Sequence, residues 1–183
     1  MNIKSCCFIG HRKINVTEEL TNEIEKYIED LIVNKNVGRF LVGSRSEFND
    51  LCHSILDKLK HKYPFIEIVA YDCSSEKSFL EIERNKWEKI FSRREGSPVH
   101  IICVDKICDY KSKYTAGRAS YVERNYAMID ASEYCLFYYN NDYLPPKRKY
   151  SKRNLSLYQP KSGTELAYNY AKSKQKNIKN FFK

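Results

Sequence analysis

The sequence lacks the features of a membrane-spanning or secreted protein. No apolar run approaches the roughly 18 residues that a membrane-spanning helix needs. The N-terminus has no basic region followed by an apolar stretch and a small-residue cleavage site, so we expect no signal peptide. The 7 cysteines are odd in number and most lie in apolar runs, which favours free, buried thiols in a reducing cytoplasm.

Metal-ligand spacing and internal repeats are also lacking. Cys103 and Cys108 are too far apart for a CxxC pair, and no His/Cys cluster has zinc spacing. We therefore expect neither a structural metal nor a cofactor. The chain has no visible repeat, and its 183 residues suit one α/β domain that covers 1–183.

Positive charge is concentrated in the last quarter of the chain. The formal net charge is +9, and residues 143–183 contain 11 basic side chains and 1 acid, Glu165. The rest of the chain is nearly neutral. This asymmetry predicts an anionic partner near the C-terminal segment, and the alternative is a basic tail that only aids solubility.

Hydrophobic periodicity predicts an α/β fold. The predicted helices cover 18–34 (with Thr17 as N-cap), 47–62, 79–94 around the sole tryptophan, 118–131 and 163–174. The predicted strands cover 6–9, 39–42, 65–70, 99–104, 134–139 and 177–182. This alternation implies right-handed crossovers and a three-layer sandwich with a mainly parallel sheet. Residues 140–161 form a long basic loop with three prolines.

Three glycine-bearing junctions follow predicted strands. They are Gly10-His11-Arg12, Gly43-Ser44-Arg45-Ser46, and Ser162-Gly163-Thr164 at the start of the last helix. Ligands of open α/β sheets bind at the carboxyl ends of the strands, and a helix N-terminus attracts anions. The junctions therefore predict a site for a phosphate-bearing ligand. Ordinary turns and N-caps are the alternative.

Arg124 and Asn125 lie on the helix before the fifth predicted strand. Arginine suits phosphate, and the asparagine amide can hydrogen-bond a base or ribose. A surface salt bridge of Arg124 with Glu123 or Asp130 is the alternative.

Motifs spread over most of the chain resemble the SLOG superfamily of Rossmann-like proteins. This superfamily includes the DNA-processing protein DprA and the LOG cytokinin-activating enzymes, and the motifs are most similar to its YpsA-like branch. The motifs are CCFIGHR at 6–12, GSRSEFNDL at 43–51, Trp87, Tyr114, RNYAMID at 124–130, CLFYY at 135–139 and SGTELAYNYA at 162–171. The resemblance implies a Rossmann-like sheet and a site for a nucleotide or nucleotide-derived ligand.

Carried over by position, the resemblance implies a ligand site at the three junctions and on the helix at 124–125. With the adjoining residues of those junctions, the candidate ligand-binding set is Gly10, His11, Arg12, Gly43, Ser44, Arg45, Glu47, Asn49, Arg124, Asn125, Ser162, Gly163, Thr164 and Glu165.

The chain also departs from the family pattern. Ser44 and Ser46 stand where the YpsA-like branch has glycine, and Asn49 stands where it has aspartate, which implies a tighter and less acidic pocket. Ala167 occupies the offset of the LOG catalytic glutamate. Glu165 lies two residues earlier, about 200° around a helix.

Three functions are compatible with these residues. The first is binding of a nucleotide-derived small molecule, such as an ADP-ribose-like or signalling nucleotide, by a sensor or sequestering protein that forms a homo-oligomer. The second is hydrolysis of an N-glycosidic bond, with Glu47 or Glu165 as the nearby carboxylate. The third is single-stranded nucleic-acid binding, since tyrosines and cations interleave at 138–158. We rank them in this order.

Overall fold

Strands and helices alternate along the chain as the periodicity predicts. The computed structural model describes residues 3–43, 46–71, 88–91, 100–108, 110, 113–114, 117–146 and 159–183. The strands within these ranges are β1 (Lys4–Gly10), β2 (Val37–Val42), β3 (Glu67–Tyr71), β4 (Glu88–Phe91), β5 (His100–Cys103), β6 (Lys106–Cys108), β7 (Tyr134–Tyr138) and β8 (Asn177–Asn180). The helices there are α1 (Glu18–Lys35), α2 (Glu47–Lys62), α3 (Gly117–Asp130) and α4 (Gly163–Ser173).

Six strands of the described chain form one parallel sheet in the order β6-β3-β2-β1-β7-β8. β1 lies inside this sheet, and Cys6, Cys7 and Phe8 are fully buried. An apolar strand of this kind needs cover on both faces, which helices on both sides of a parallel sheet supply. The α/β fold with a three-layer arrangement is thus confirmed.

Alternate residues of β1 contact the two helical layers. Cys6 and Phe8 pack with the buried faces of α1 and α2. Cys7 and Ile9 pack with α3 and α4. Strand order explains this division, because right-handed crossovers that run in opposite directions from β1 place their helices on opposite faces.

The first helix begins as its sequence predicts. Thr17 is extended, and its Oγ1 accepts a hydrogen bond from the backbone N–H of Leu20 at 3.1 Å. This bond satisfies one of the free N–H groups at the start of a helix. Within the described ranges, no helix has the length and apolar character to cross a membrane.

Between β3 and α3, one prediction was wrong where it can be tested and one strand prediction was confirmed. Residues 88–91 form β4, although a helix over 79–94 was predicted, and the other residues of that prediction lie outside the described ranges. β5 falls within the predicted strand 99–104, but it pairs antiparallel with β4 in a separate two-stranded sheet. Helical periodicity and an alternating strand are hard to distinguish in short segments.

The sequence prediction also missed β6, which extends the sheet beyond β3. Asp105, which directly precedes β6, is bonded to β3, because its backbone N–H donates to the Ile68 carbonyl at 2.9 Å. Its carboxylate accepts the Ile68 N–H at 2.7 Å. β6 has only 3 residues, so its own sequence carries almost no periodic signal.

The strand order reverses between β1 and β7. From β1 the chain proceeds to β2, β3 and β6 on one side, and later returns to β7 and β8 on the other side. Gly10 at the end of β1 is in register with Tyr138 at the end of β7. A crevice at such a switch point is where open α/β sheets bind ligands.

Candidate functional site

The carboxyl edge of the sheet collects most of the predicted site residues. Gly10 is the last residue of β1, and Gly43 directly follows β2, which is parallel to β1. Helix α4 begins at Gly163 on the same edge, after β7. The N-terminus of α2, with Glu47 and Asn49, lies there too. Ser44 and Arg45 fall outside the described residues.

The loop after β1 is bonded to the N-terminus of α2. Ser46 caps this helix, and its Oγ donates to the His11 carbonyl at 3.0 Å. The Glu47 N–H donates to the Arg12 carbonyl at 3.1 Å, and Glu47 Oε2 accepts the Ile14 N–H at 2.9 Å. Glu47 therefore anchors the loop that carries His11 and Arg12.

Asn49 and Gly43 shape the end of β2. The Gly43 N–H donates to Asn49 Oδ1 at 2.9 Å, and Asn49 is buried. A Cβ at Gly43 would lie 2.9 Å from Arg124 Cζ. A side chain at this position would therefore displace the guanidinium, which lies directly against the backbone.

Arg124 brings a buried cation to this edge. Its side chain is only 5% exposed, so Arg124 is not a solvent-exposed surface residue. Nη2 donates to Asn125 Oδ1 at 3.2 Å, and the guanidinium lies 5.4 Å from the centre of the Tyr121 ring. Arg12 is exposed on the neighbouring loop, so the described part of this edge combines a buried guanidinium with an accessible one.

His11 connects the ends of β1 and β7. Its backbone N–H donates to the Tyr138 carbonyl at 3.3 Å, and its Nε2 accepts the Asn140 N–H at 3.0 Å. To accept this hydrogen bond, Nε2 must have a free lone pair, so the imidazole ring is neutral and its proton is on Nδ1. Burial lowers the pKa of His11 below its usual value, in agreement with a neutral ring.

The start of α4 leaves room above Gly163. Ser162 caps the helix by accepting the Glu165 N–H at 2.9 Å, and Thr164 is buried. Among the described residues other than its chain neighbours and its own helix backbone, none has an atom within 4 Å of a Cβ built on Gly163. No described side chain therefore covers the first backbone groups of the helix, where the positive end of its dipole lies.

Glu165 lies between a cation and a tyrosine. Its Oε1 is 3.6 Å from Lys161 Nζ. Burial raises the pKa of Tyr139, and the negative charge of Glu165 raises it further. The nearby ammonium group of Lys161 partly offsets the negative charge of Glu165.

Two asparagines at this edge were missed by the sequence analysis. Asn140 orders the turn after β7, since its Oδ1 accepts the Asp142 N–H at 2.8 Å. Asn180 clamps the same strand end from β8, because its side chain bonds both the N–H and the carbonyl of Tyr139, at 2.9 and 3.0 Å. An asparagine directly after an apolar strand was the available signal for Asn140.

Comparison with known proteins gives one informative likeness. No protein-family model and no curated protein matches the sequence. Among solved structures, the chain is similar to DNA processing protein A from Helicobacter pylori, with a TM-score of 0.50 and 11% identity. The match covers 96% of this chain and 63% of that chain, so this chain spans less than two thirds of that protein.

DNA processing protein A is described as binding single-stranded DNA in a unique mode. That protein is also a member of the superfamily that the sequence motifs resemble. At this identity the likeness concerns the fold: the chain has an α/β fold shared with DNA processing protein A.

Proposed function

We propose that this chain binds a nucleotide or a nucleotide-derived small molecule at the carboxyl edge of its sheet, as a sensor or sequestering protein. The observation that carries the proposal is the reversal of strand order between β1 and β7. His11 and Arg12 follow one of these strands, and Asn140 follows the other. Ligands of open α/β sheets bind in the crevice outside such a pair of strands.

The charges at this edge support a phosphate-bearing ligand. Arg12 is exposed and Arg124 is buried against Gly43. Guanidinium groups pair with phosphate through two parallel hydrogen bonds. The open start of α4 at Gly163 adds backbone N–H groups and a positive dipole end. The proposed ligand-binding set is the one given by the sequence, including Ser44 and Arg45.

The carboxylates favour binding over hydrolysis of an N-glycosidic bond. Glu47 accepts a backbone N–H from Ile14 and holds a loop in place. Glu165 is close to Lys161, and Ala167 is buried at the offset of the LOG glutamate. A general acid or nucleophile needs a carboxylate that can reach the reacting bond.

Single-stranded nucleic acid is the second candidate ligand. The shared fold with DNA processing protein A, which is described as binding single-stranded DNA, favours it. The basic last quarter of the chain also suits a polyanion. We keep the small nucleotide first because the buried Arg124 beside Gly43 and the N-terminus of α4 each suit a single phosphate-bearing ligand.

Four finer assignments belong to the same proposal. The chain is assigned to the YpsA-like branch of the SLOG superfamily, as one domain over 1–183. It is also proposed to act in the cytoplasm and as a homo-oligomer. Chemical crosslinking and light scattering of the purified protein test the last assignment directly.

Calorimetric titration of AMP and ADP-ribose tests the proposed function. Arg12→Ala and Arg124→Ala should each weaken binding by about 1.5–3 kcal/mol, because each removes a charge-assisted hydrogen bond to phosphate. Lys174→Ala is the charge-matched control, since Lys174 is the exposed C-cap of α4, at the end of that helix far from Gly163. It should leave the affinity unchanged.

Thermal unfolding of each variant separates loss of binding from loss of fold. Arg124→Lys supplements Arg124→Ala, because lysine keeps the charge but cannot form the paired hydrogen bonds. If neither ligand binds the wild-type protein, or both alanine variants bind as tightly as wild type, the proposal is wrong.

A further inference from the structure

A row of aromatic rings crosses the switch-point edge. The Tyr143 ring lies 4.6 Å from the His11 ring, at an angle of 50°. His11 is 6.1 Å from Tyr139, and Tyr139 is 4.8 Å from Tyr168 in the second turn of α4. The row therefore connects the turn after β7 to the helix that begins at Gly163.

Tyr143 is exposed and yet held in place. It is 45% exposed, and the next residue, Leu144, is 70% exposed. The Tyr143 N–H donates to the Asn140 carbonyl at 3.3 Å, and the Asn140 N–H donates to His11 Nε2 at 3.0 Å. The Asp142 N–H donates to Asn140 Oδ1 at 2.8 Å. The turn that carries this ring is therefore ordered by bonds to the loop after β1.

The core buries only part of the Tyr143 side chain, and the rest of it is exposed. An ordered aromatic ring loses little side-chain entropy when a second planar ring stacks on it. Every nucleobase has such a face, and stacking on an aromatic side chain is tolerant of base identity. A phosphate group has no such face, and a ribose ring offers only C–H groups instead of a π-face.

We infer that Tyr143 is the base-stacking residue of the site, with a nucleobase lying on its open surface and the ligand's phosphate at the arginine-bearing part of the edge. This inference deepens the proposed function and rests on it. It assigns the ligand to the compounds that carry a base, and excludes phosphorylated sugars alone.

Paired probes with and without a base test this inference. The probes are the four ribonucleoside monophosphates, ribose 5-phosphate and a single-stranded thymidine oligonucleotide, all titrated by calorimetry. The variants are Tyr143→Leu, which removes the ring, and Tyr143→Phe, which keeps it. Phe65→Leu is the matched control, because Phe65 is 67% exposed in the turn before β3, at the opposite edge of the sheet.

Wild type should bind at least one monophosphate more tightly than ribose 5-phosphate. Tyr143→Leu should lower the affinity for that monophosphate by about 5- to 100-fold and leave ribose 5-phosphate binding unchanged. Tyr143→Phe and Phe65→Leu should bind it as wild type does. Thermal unfolding of each variant confirms that the fold is intact.

Each contrary result overturns the inference in a distinct way. Equal affinity for ribose 5-phosphate and all four monophosphates excludes a base subsite but preserves phosphate binding. Unchanged binding by Tyr143→Leu, or equal losses in the leucine and phenylalanine variants, removes the stacking role. A loss confined to a single-stranded thymidine oligonucleotide assigns the ring to nucleic acid instead. No binding of any probe by wild type removes the proposed function and this inference together.

Discussion

His11 shows how one side chain can join two distant parts of the chain. It is 8% exposed, and it accepts a hydrogen bond from the backbone N–H of Asn140. If Nε2 were protonated, its N–H and the Asn140 N–H would be two donors that face each other. The neutral ring therefore supports the turn that holds Tyr143, and a charged ring would oppose it.

Stability should fall as the pH decreases through the histidine range. Burial lowers the pKa of His11 below the usual 6.5, so below about pH 6.5 the unfolded chain binds a proton that the folded protein does not. The penalty grows until the pH reaches the lowered folded-state pKa, and then stays constant. Above about pH 7 the residue makes no pH-dependent contribution.

Urea denaturation of wild type and His11→Gln between pH 7.5 and 5 measures this effect. Glutamine can accept the Asn140 N–H at a similar position but does not titrate. Wild type should therefore lose more unfolding free energy on acidification than the variant does. All other titratable side chains are the same in both proteins, so the difference between the two pH profiles reports on position 11. Parallel pH profiles would exclude His11 as the titrating group.

At the scale of elements, the edge is built from strand ends and helix starts that contact each other closely. A Cβ at Gly10 would lie 2.5 Å from Phe48 Cβ in α2, whereas one at Gly43 would meet the guanidinium of Arg124. Among the described residues beyond its chain neighbours, a Cβ at Gly163 would meet nothing within 4 Å. Packing therefore restricts a side chain at Gly10 and Gly43 but not at Gly163.

Alanine at these three positions should separate packing from ligand approach. Gly10→Ala should cost about 1–3 kcal/mol of unfolding free energy, because α2 must shift away from β1. Gly163→Ala should change stability by less than about 0.5 kcal/mol, yet weaken nucleotide binding if a ligand lies against that backbone. Gly43→Ala should displace Arg124 and weaken binding with a smaller loss of stability than Gly10→Ala.

Chemical denaturation and calorimetry on the same three proteins provide the measurements. A Gly163→Ala variant as unstable as Gly10→Ala would contradict the open space above α4. A Gly43→Ala variant with wild-type nucleotide affinity would contradict a ligand contact by Arg124.

At the scale of the whole molecule, acids of the nearly neutral body pair with lysines of the basic C-terminal quarter. Lys179 and Lys183 both lie 3.1 Å from carboxylate oxygens of Glu23 on α1. Lys174 lies 3.5 Å from Asp130 of α3. These exposed pairs each contribute little to stability. They partly offset the positive charge of the C-terminal quarter.

The basic segment 145–161 has both of its described ends at the crevice. Gln159 Nε2 donates to the Pro145 carbonyl at 2.7 Å, and Lys161 directly precedes Ser162. Residues 147–158 between these ends lie outside the described ranges. The prediction that the segment serves the small-ligand site therefore rests on its charge and on where it starts and returns.

Joint neutralisation of Lys147, Arg148, Lys152 and Arg153 to glutamine tests this prediction. Small-nucleotide affinity should fall, because cations near a bound phosphate stabilise it. Binding to a single-stranded thymidine oligonucleotide should be measured in parallel across salt concentrations, since phosphate-backbone binding weakens steeply with salt. Loss of oligonucleotide binding alone would make the nucleic-acid alternative correct.

The sequence by itself determined the four helices of the described ranges and the central strand. The predicted bounds of α1, α2 and α4 agree with the structure to within one residue at each end. Helical periodicity and caps such as Thr17 are local, because they depend on side chains three or four positions apart. Gly10 and Gly43 were likewise predicted as junctions because they follow apolar runs. The strands β4 and β6 were too short for their sequences to show a periodic pattern.

Only the tertiary structure decided what each junction contacts. His11 bonds a residue 129 positions away, and Arg124 of α3 lies against Gly43 of β2. The separate pairing of β4 with β5 is of the same kind. Such contacts depend on which strands become neighbours, and periodicity within one segment carries no information about its partner in the sheet. The sequence therefore predicted which residues approach the edge. The fold determined that Glu47 bonds a neighbouring loop, that Arg124 is buried and that Arg12 is exposed.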